Sequence, residues 1–149
     1  MNCKILAVGA AGALVLVAAC GTFDRPEPID NKAAIAARQA AMKAIGAASA
    51  PLRAPSVDRA TAQAAGQTIH DNLRIFAANL PKGSGPEAGV PTKAKSEIWT
   101  SSEPFNNALN SGLRASELLA KSPAEGDALR AQVGSVMQSC AGCHTNYRS

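Results

Sequence analysis

From residue 30 to residue 149, positions sharing one side of a helix recur at steps of three and four in four separate runs. Ile35, Arg38, Met42 and Ile45 form the first such face, and Asp30 stands where a helix cap is expected. Ala50-Pro51 to Ala54-Pro55 reads as a connection, after which Ser56 is the expected cap of a second helix. Its stripe is Ile69, Leu73, Phe76 and Leu80, and Pro81 ends it. Residues Pro81 to Thr92 hold three Pro and three Gly, a density that predicts a long surface connection. A third helix starts around Ser102-Glu103-Pro104, with Phe105, Leu109, Gly112 or Leu113, Ser116 and Leu119 on its inner side. Ser122-Pro123-Ala124-Glu125 has the form of a capping box and predicts the start of a fourth. In that helix Leu129, Val133, Val136, Cys140, Cys143 and Tyr147 follow at steps of 4, 3, 4, 3 and 4, so both cysteines are expected to face a bundle interior. The fold class this predicts is all-α, an antiparallel four-helix bundle over residues 30–149.

Composition supports helices packed through small side chains, because Ala is abundant and aromatics number one Trp, one Tyr and three Phe. The first residues have another purpose. Lys4 gives a positive start, Ile5 to Val17 an apolar run too short to span a bilayer comfortably, and Val17-Ala18-Ala19-Cys20 a small-residue cleavage site. Residues 1–19 therefore read as a signal peptide. Val-Ala-Ala-Cys resembles the lipobox of bacterial lipoproteins, with Cys20 as the lipidated first residue and 20–29 as a tether; ordinary cleavage leaving a free Cys20 thiol is the plainer alternative. The expected location is the periplasm, anchored to a membrane, with the outer membrane favoured because Gly21 is not Asp. The formal charge of +4 drops by one without Lys4, and no basic run is interleaved with aromatics, so no nucleic-acid partner is expected.

Of the four cysteines, Cys3 lies upstream of the cut, Cys20 at it, and Cys140 and Cys143 form a close pair. Cys140-Ala141-Gly142-Cys143-His144 has the spacing of covalent haem c attachment. Two thiols on adjacent turns each bond one vinyl-derived carbon of a porphyrin, and the next residue brings an imidazole beneath the metal. Other chemistries fit less well. Zinc needs four ligands, and the only other histidine is His70. A redox-active cysteine pair normally occupies a helix N-terminus, whose dipole lowers the thiol pKa, whereas this pair stands at a C-terminal end. A merely structural pair leaves the adjacent His144 unexplained.

With this motif ending a four-helix bundle, the chain resembles the class II c-type cytochromes, the cytochrome c′ family, over roughly residues 30–149. The resemblance is carried by Cys140-Ala-Gly-Cys-His-Thr-Asn-Tyr-Arg148 and by Ala37-Arg38-Gln39-Ala40-Ala41-Met42-Lys43-Ala44-Ile45-Gly46. It implies one haem c near the C-terminal helix, Arg38 and Gln39 by the haem propionates, Arg148 near the proximal face, and Met42 over the opposite face. The family also implies two uses of the sixth iron position. Five-coordinate members bind NO or CO there, while low-spin relatives use a Met as sixth ligand and carry electrons. Met42 suits either role.

Met137 is on the helix of His144, seven residues earlier and about 10 Å along the axis, which rules it out as a ligand on the opposite face. His70 neighbours the inner stripe of its helix and reads as a half-exposed histidine without a metal role. The expected function is one-electron transfer without enzymatic turnover, the alternative being capture of NO or CO at an open distal site. Expected partners are periplasmic or membrane redox proteins and the membrane itself through Cys20, with a homodimer left open.

Overall fold

The computed structural model describes residues 30–149, so the signal-peptide, lipobox and tether readings lie outside the described residues. The described residues form five α-helices: α1 (Asn31–Ser49), α2 (Arg59–Ala78), the short α3 (Glu97–Thr100), α4 (Ser102–Ala120) and α5 (Gly126–Tyr147). The four long ones are those the periodicity predicts; α3 is an additional turn inside the long α2–α4 connection. Asp30 caps α1 as expected, its Oδ1 accepting from the backbone N–H groups of Lys32 at 2.9 Å and Ala33 at 3.0 Å.

Two other helix starts differ from expectation. The cap of α2 is Asp58 and not Ser56: its Oδ1 accepts from Thr61 N at 2.9 Å and its Oδ2 from Thr61 Oγ1 at 2.7 Å. A carboxylate offers two acceptors and a charge that suits the positive end of the helix, where Ser56 offers one neutral hydroxyl. Nor does α5 start at the Ser122 box. The Gln63 amide donates to the Ser122 carbonyl at 2.7 Å, and Arg59 donates to the Pro123 carbonyl and pairs with Glu125 at 3.1 Å. These ties hold residues 122–125 out of a helix, with Ser122 Oγ accepting locally from Ala124 N. The helix begins at Gly126, whose φ of +55° a side chain would strain.

The interior divides into two clusters. A lower one gathers Ile45, Leu52, Ile69, Leu119, Val133 and Val136, among others, and an upper one gathers Ala41, Phe76, Ile98, Phe105 and Tyr147. Phe105 meets Phe76 tilted at 6.4 Å and Tyr147 edge-on at 5.2 Å. At the crossing of α2 and α4 the backbones nearly touch: a Cβ on Gly66 would lie 2.6 Å from Ala120 N and 3.0 Å from Ser116 O.

Close backbone approaches run α1 to α2, α2 to α4 and α4 to α5, and the ring is open at backbone level between α1 and α5, whose side chains nonetheless share both clusters. Among the described residues no helix is long and apolar enough to cross a membrane.

Candidate haem site at the open seam

Met42 on α1 and the two cysteines on α5 border this open seam. Among the described residues Met42 is the one partly buried apolar side chain that packs against both clusters; Cys140 packs against the lower cluster and Cys143 against the upper. The cysteines are half-buried free thiols at the margin of the interior rather than within it, unlike the buried Leu129, Val133, Val136 and Tyr147 of the same stripe. Burial is the main cause that pushes both thiols above their ordinary pKa. At Cys140 the Ser139 hydrogen bond and the Arg53 charge act in the opposite direction, and at Cys143 the neighbouring Cys140 adds to the rise. A raised thiol pKa argues against a low-pKa redox pair.

His144 occupies the last turn of α5, exposed beside Cys143. Loss of hydration against the bundle, and secondarily the Arg148 charge, hold its imidazole below the usual histidine range. A neutral imidazole is the form that ligates iron. Among the described residues no three His, Cys, Asp or Glu side chains come together to hold a metal. His70 faces α4, with Nδ1 donating its proton to the Leu113 carbonyl at 3.1 Å. Met137 packs against the lower cluster from α5 itself.

Arg38 and Gln39 are both engaged with the long connection. Arg38 is 2% exposed; its Nη1 donates to Asn79 O at 2.9 Å and Ser84 Oγ at 2.8 Å, and its Nη2 to Ser84 O at 2.7 Å. The guanidinium also lies over the Trp99 ring, 5.4 Å from its centroid. Burial lowers its pKa and Glu87 partly opposes this, but an arginine so solvated by carbonyls stays charged. Gln39 Nε2 donates to Pro91 O at 2.8 Å. Arg148 caps α5 through its backbone and forms an antiparallel bridge with Ala94. Sequence reasoning missed Ser84, Trp99 and Arg53. Ser84 and Trp99 become partners of Arg38 only through contacts far apart in the chain, and nothing local marks Arg53 as a neighbour of Cys140.

Paired neutral thiols one helical turn apart, an adjacent imidazole and a thioether on the facing helix, all at an open seam of the ring, fit a covalent haem c. Together they define a helical-bundle c-type cytochrome. A model of the cytochrome c′ family matches residues 33–148. The cytochrome c′ of Rhodopseudomonas palustris (strain ATCC BAA-98 / CGA009) is 30% identical over 121 residues, covering 77% of this chain and 81% of that protein. Among solved structures, cytochrome c′ from Rhodopseudomonas palustris superposes with a TM-score of 0.69 at 26% identity, covering 78% of this chain and 95% of the other. Cytochrome c prime from Shewanella frigidimarina superposes with a TM-score of 0.70 at 21% identity, covering 82% and 98%. The chain belongs to the cytochrome c′ family, and it binds one haem c covalently through Cys140 and Cys143.

Proposed function

We propose that this family member is a one-electron carrier of the periplasm, acting without turnover. When bound, haem c supplies an iron that takes up and releases a single electron. The chain's own residues do the rest. Cys140 and Cys143 fix the group to α5, His144 offers a neutral imidazole on that side, and Met42 offers a thioether from α1. The two apolar clusters flanking the seam exclude water and keep reorganisation small, while the charges of Arg38 and Arg148 favour the reduced state. The observation that carries this reading is the placement of Met42, which among the described partly buried apolar side chains is the one that packs against both clusters. Lipidation of Cys20 would hold the carrier at a membrane, with the outer membrane favoured, beside redox partners whose effective concentration it raises.

A second reading, capture of NO or CO, is favoured by similarity to nitric oxide complexes of cytochrome c prime mutants from Alcaligenes xylosoxidans, one of which superposes with a TM-score of 0.68 at 24% identity. A thioether that only fills space beside iron leaves the sixth position to such a ligand. The visible and resonance Raman spectra of the matured ferrous protein separate the two. A low-spin spectrum that turns high-spin in Met42→Ala supports the carrier. A high-spin spectrum in the parent protein overturns it in favour of gas binding.

A further inference from the structure

The connection between α2 and α4 is attached to both sides of the open seam. On the α1 side Arg38 grips Asn79 and Ser84, and Gln39 holds the Pro91 carbonyl at 2.8 Å. On the α5 side Ser149 N donates to Lys93 O at 2.9 Å and Lys95 N to Tyr147 O at 3.0 Å. Lys95 Nζ adds a long contact to Thr145 O at 3.4 Å. The connection is braced within itself as well, because the Trp99 indole donates to the carbonyls of Leu80 at 3.3 Å and Pro81 at 3.2 Å.

The Pro91 carbonyl held from α1 and the Lys93 carbonyl held by the chain end after α5 are two residues apart. Fully extended, two residues span only ~7 Å, and proline at one end stiffens the span further. Gln39 is one helical turn from Met42, and Ser149 lies just beyond the turn that carries His144. The backbones of α1 and α5 come close at few positions, so their spacing rests on side chains and on this connection.

We propose that the span Pro91–Lys93 is a tie-bar that sets the separation of α1 and α5, making Gln39 and Ser149 positioning residues for whatever approaches iron from the Met42 side. This rests on the proposed placement of Met42 beside the haem. With the tie intact, α1 stays close and the thioether fills or ligates the sixth position. With it cut, α1 leans outward and an added ligand enters faster.

Removing the Gln39 hold leaves the next one on the α1 side at Ser84, and removing Ser149 leaves Lys95 N on the Tyr147 carbonyl, so either cut lengthens the tied span rather than freeing it. Once Gln39 is gone, the slack already exceeds what the Ser149 cut adds. The test is the rate of CO association with the matured ferrous protein, together with its spectrum. Gln39→Ala and a chain ending at Arg148 are each expected to raise the rate several-fold, and the combination should match the larger single effect. Gly66→Ala, which strains the bundle at the α2–α4 crossing, serves as a destabilised control and is expected to keep the parent's rate. Parental rates in the two cut variants overturn the proposal, as do effects that multiply or an equal rise in the Gly66 variant. Met42→Ala is measured alongside: if it alone changes neither spectrum nor rate, the placement of Met42 is wrong, whereas the series behaviour still judges the tie.

Discussion

The α2–α4 seam and the α1–α5 seam are made from much the same stock of alanines and aliphatic side chains, yet only one is closed. Between α2 and α4 the small residues Ala62, Gly66 and Ser116 bring backbone against backbone, and Ser116 turns its hydroxyl back onto the Gly112 carbonyl at 2.8 Å. Between α1 and α5 the backbones stay apart, and the half-buried residues there are chemically equipped ones: two thiols and a thioether. The closed seam holds the bundle together through protein contacts alone. At the open one Met42, Cys140 and Cys143 are left half-buried, as suits side chains that a covalently attached haem would cover.

The largest effect expected from breaking this contrast is at the open seam. Cys140→Ala combined with Cys143→Ala should abolish covalent haem altogether, and each single change should leave one thioether. Intact mass and haem staining after denaturation would show it. Retention of covalent haem in the double variant would remove these cysteines from the site.

Glycines distinguish the two regions next. At Gly66 a Cβ would meet Ala120 N at 2.6 Å, backbone that has nowhere to retreat, so Gly66→Val should destabilise the protein by about 1–3 kcal/mol. At Gly46, on the exposed side of α1, a Cβ meets nothing within 4 Å, so Gly46→Ala should stabilise by up to about 1 kcal/mol through helix propensity. Urea denaturation measures both. Equal signs for the two would show that the α2–α4 backbones are not in contact.

What could be read from the chain alone follows from how local each signal is. The haem motif is covalent chemistry within five consecutive residues, and the four long helices announce themselves through a period that each carries by itself. The open seam is not local: it depends on which helix packs against which, and the stripe of α5 looks uniform from Leu129 to Tyr147 although its two cysteines are the half-buried members. Arg38 shows the same limit. Its position beside Met42 is legible from helical spacing, but its acceptors are 41 and 46 residues away and make it a clasp on the long connection. Pro and Gly density marked that connection as irregular, without indicating that it is pinned at both sides. The start of α5 is misread for a related reason, since Ser122 has every local feature of a cap while Gln63 and Arg59, from another helix, hold its segment extended.

The smallest effect concerns the other misread cap, at the end of the bundle remote from the long connection. The Thr61 hydroxyl, and after it the Thr61 backbone N–H, hold the Asp58 carboxyl below its ordinary pKa of 3.8. A carboxyl whose pKa is lower folded than unfolded binds its proton more weakly in the folded state. Its contribution is therefore fully present above the unfolded value and is lost as pH falls through the folded one. Asp58→Asn should leave a neutral cap, slightly lower stability at pH 7, and a shallower loss of stability on acidification below about pH 4. Ser56→Ala should change neither quantity, because no contact of the α2 start involves Ser56. Denaturation midpoints of the three proteins across pH 3–7 are the measurement. An acid slope unchanged in the Asp58 variant, or altered in the Ser56 variant, would return the cap to the serine that local pattern favours and show that Thr61 has the wrong partner.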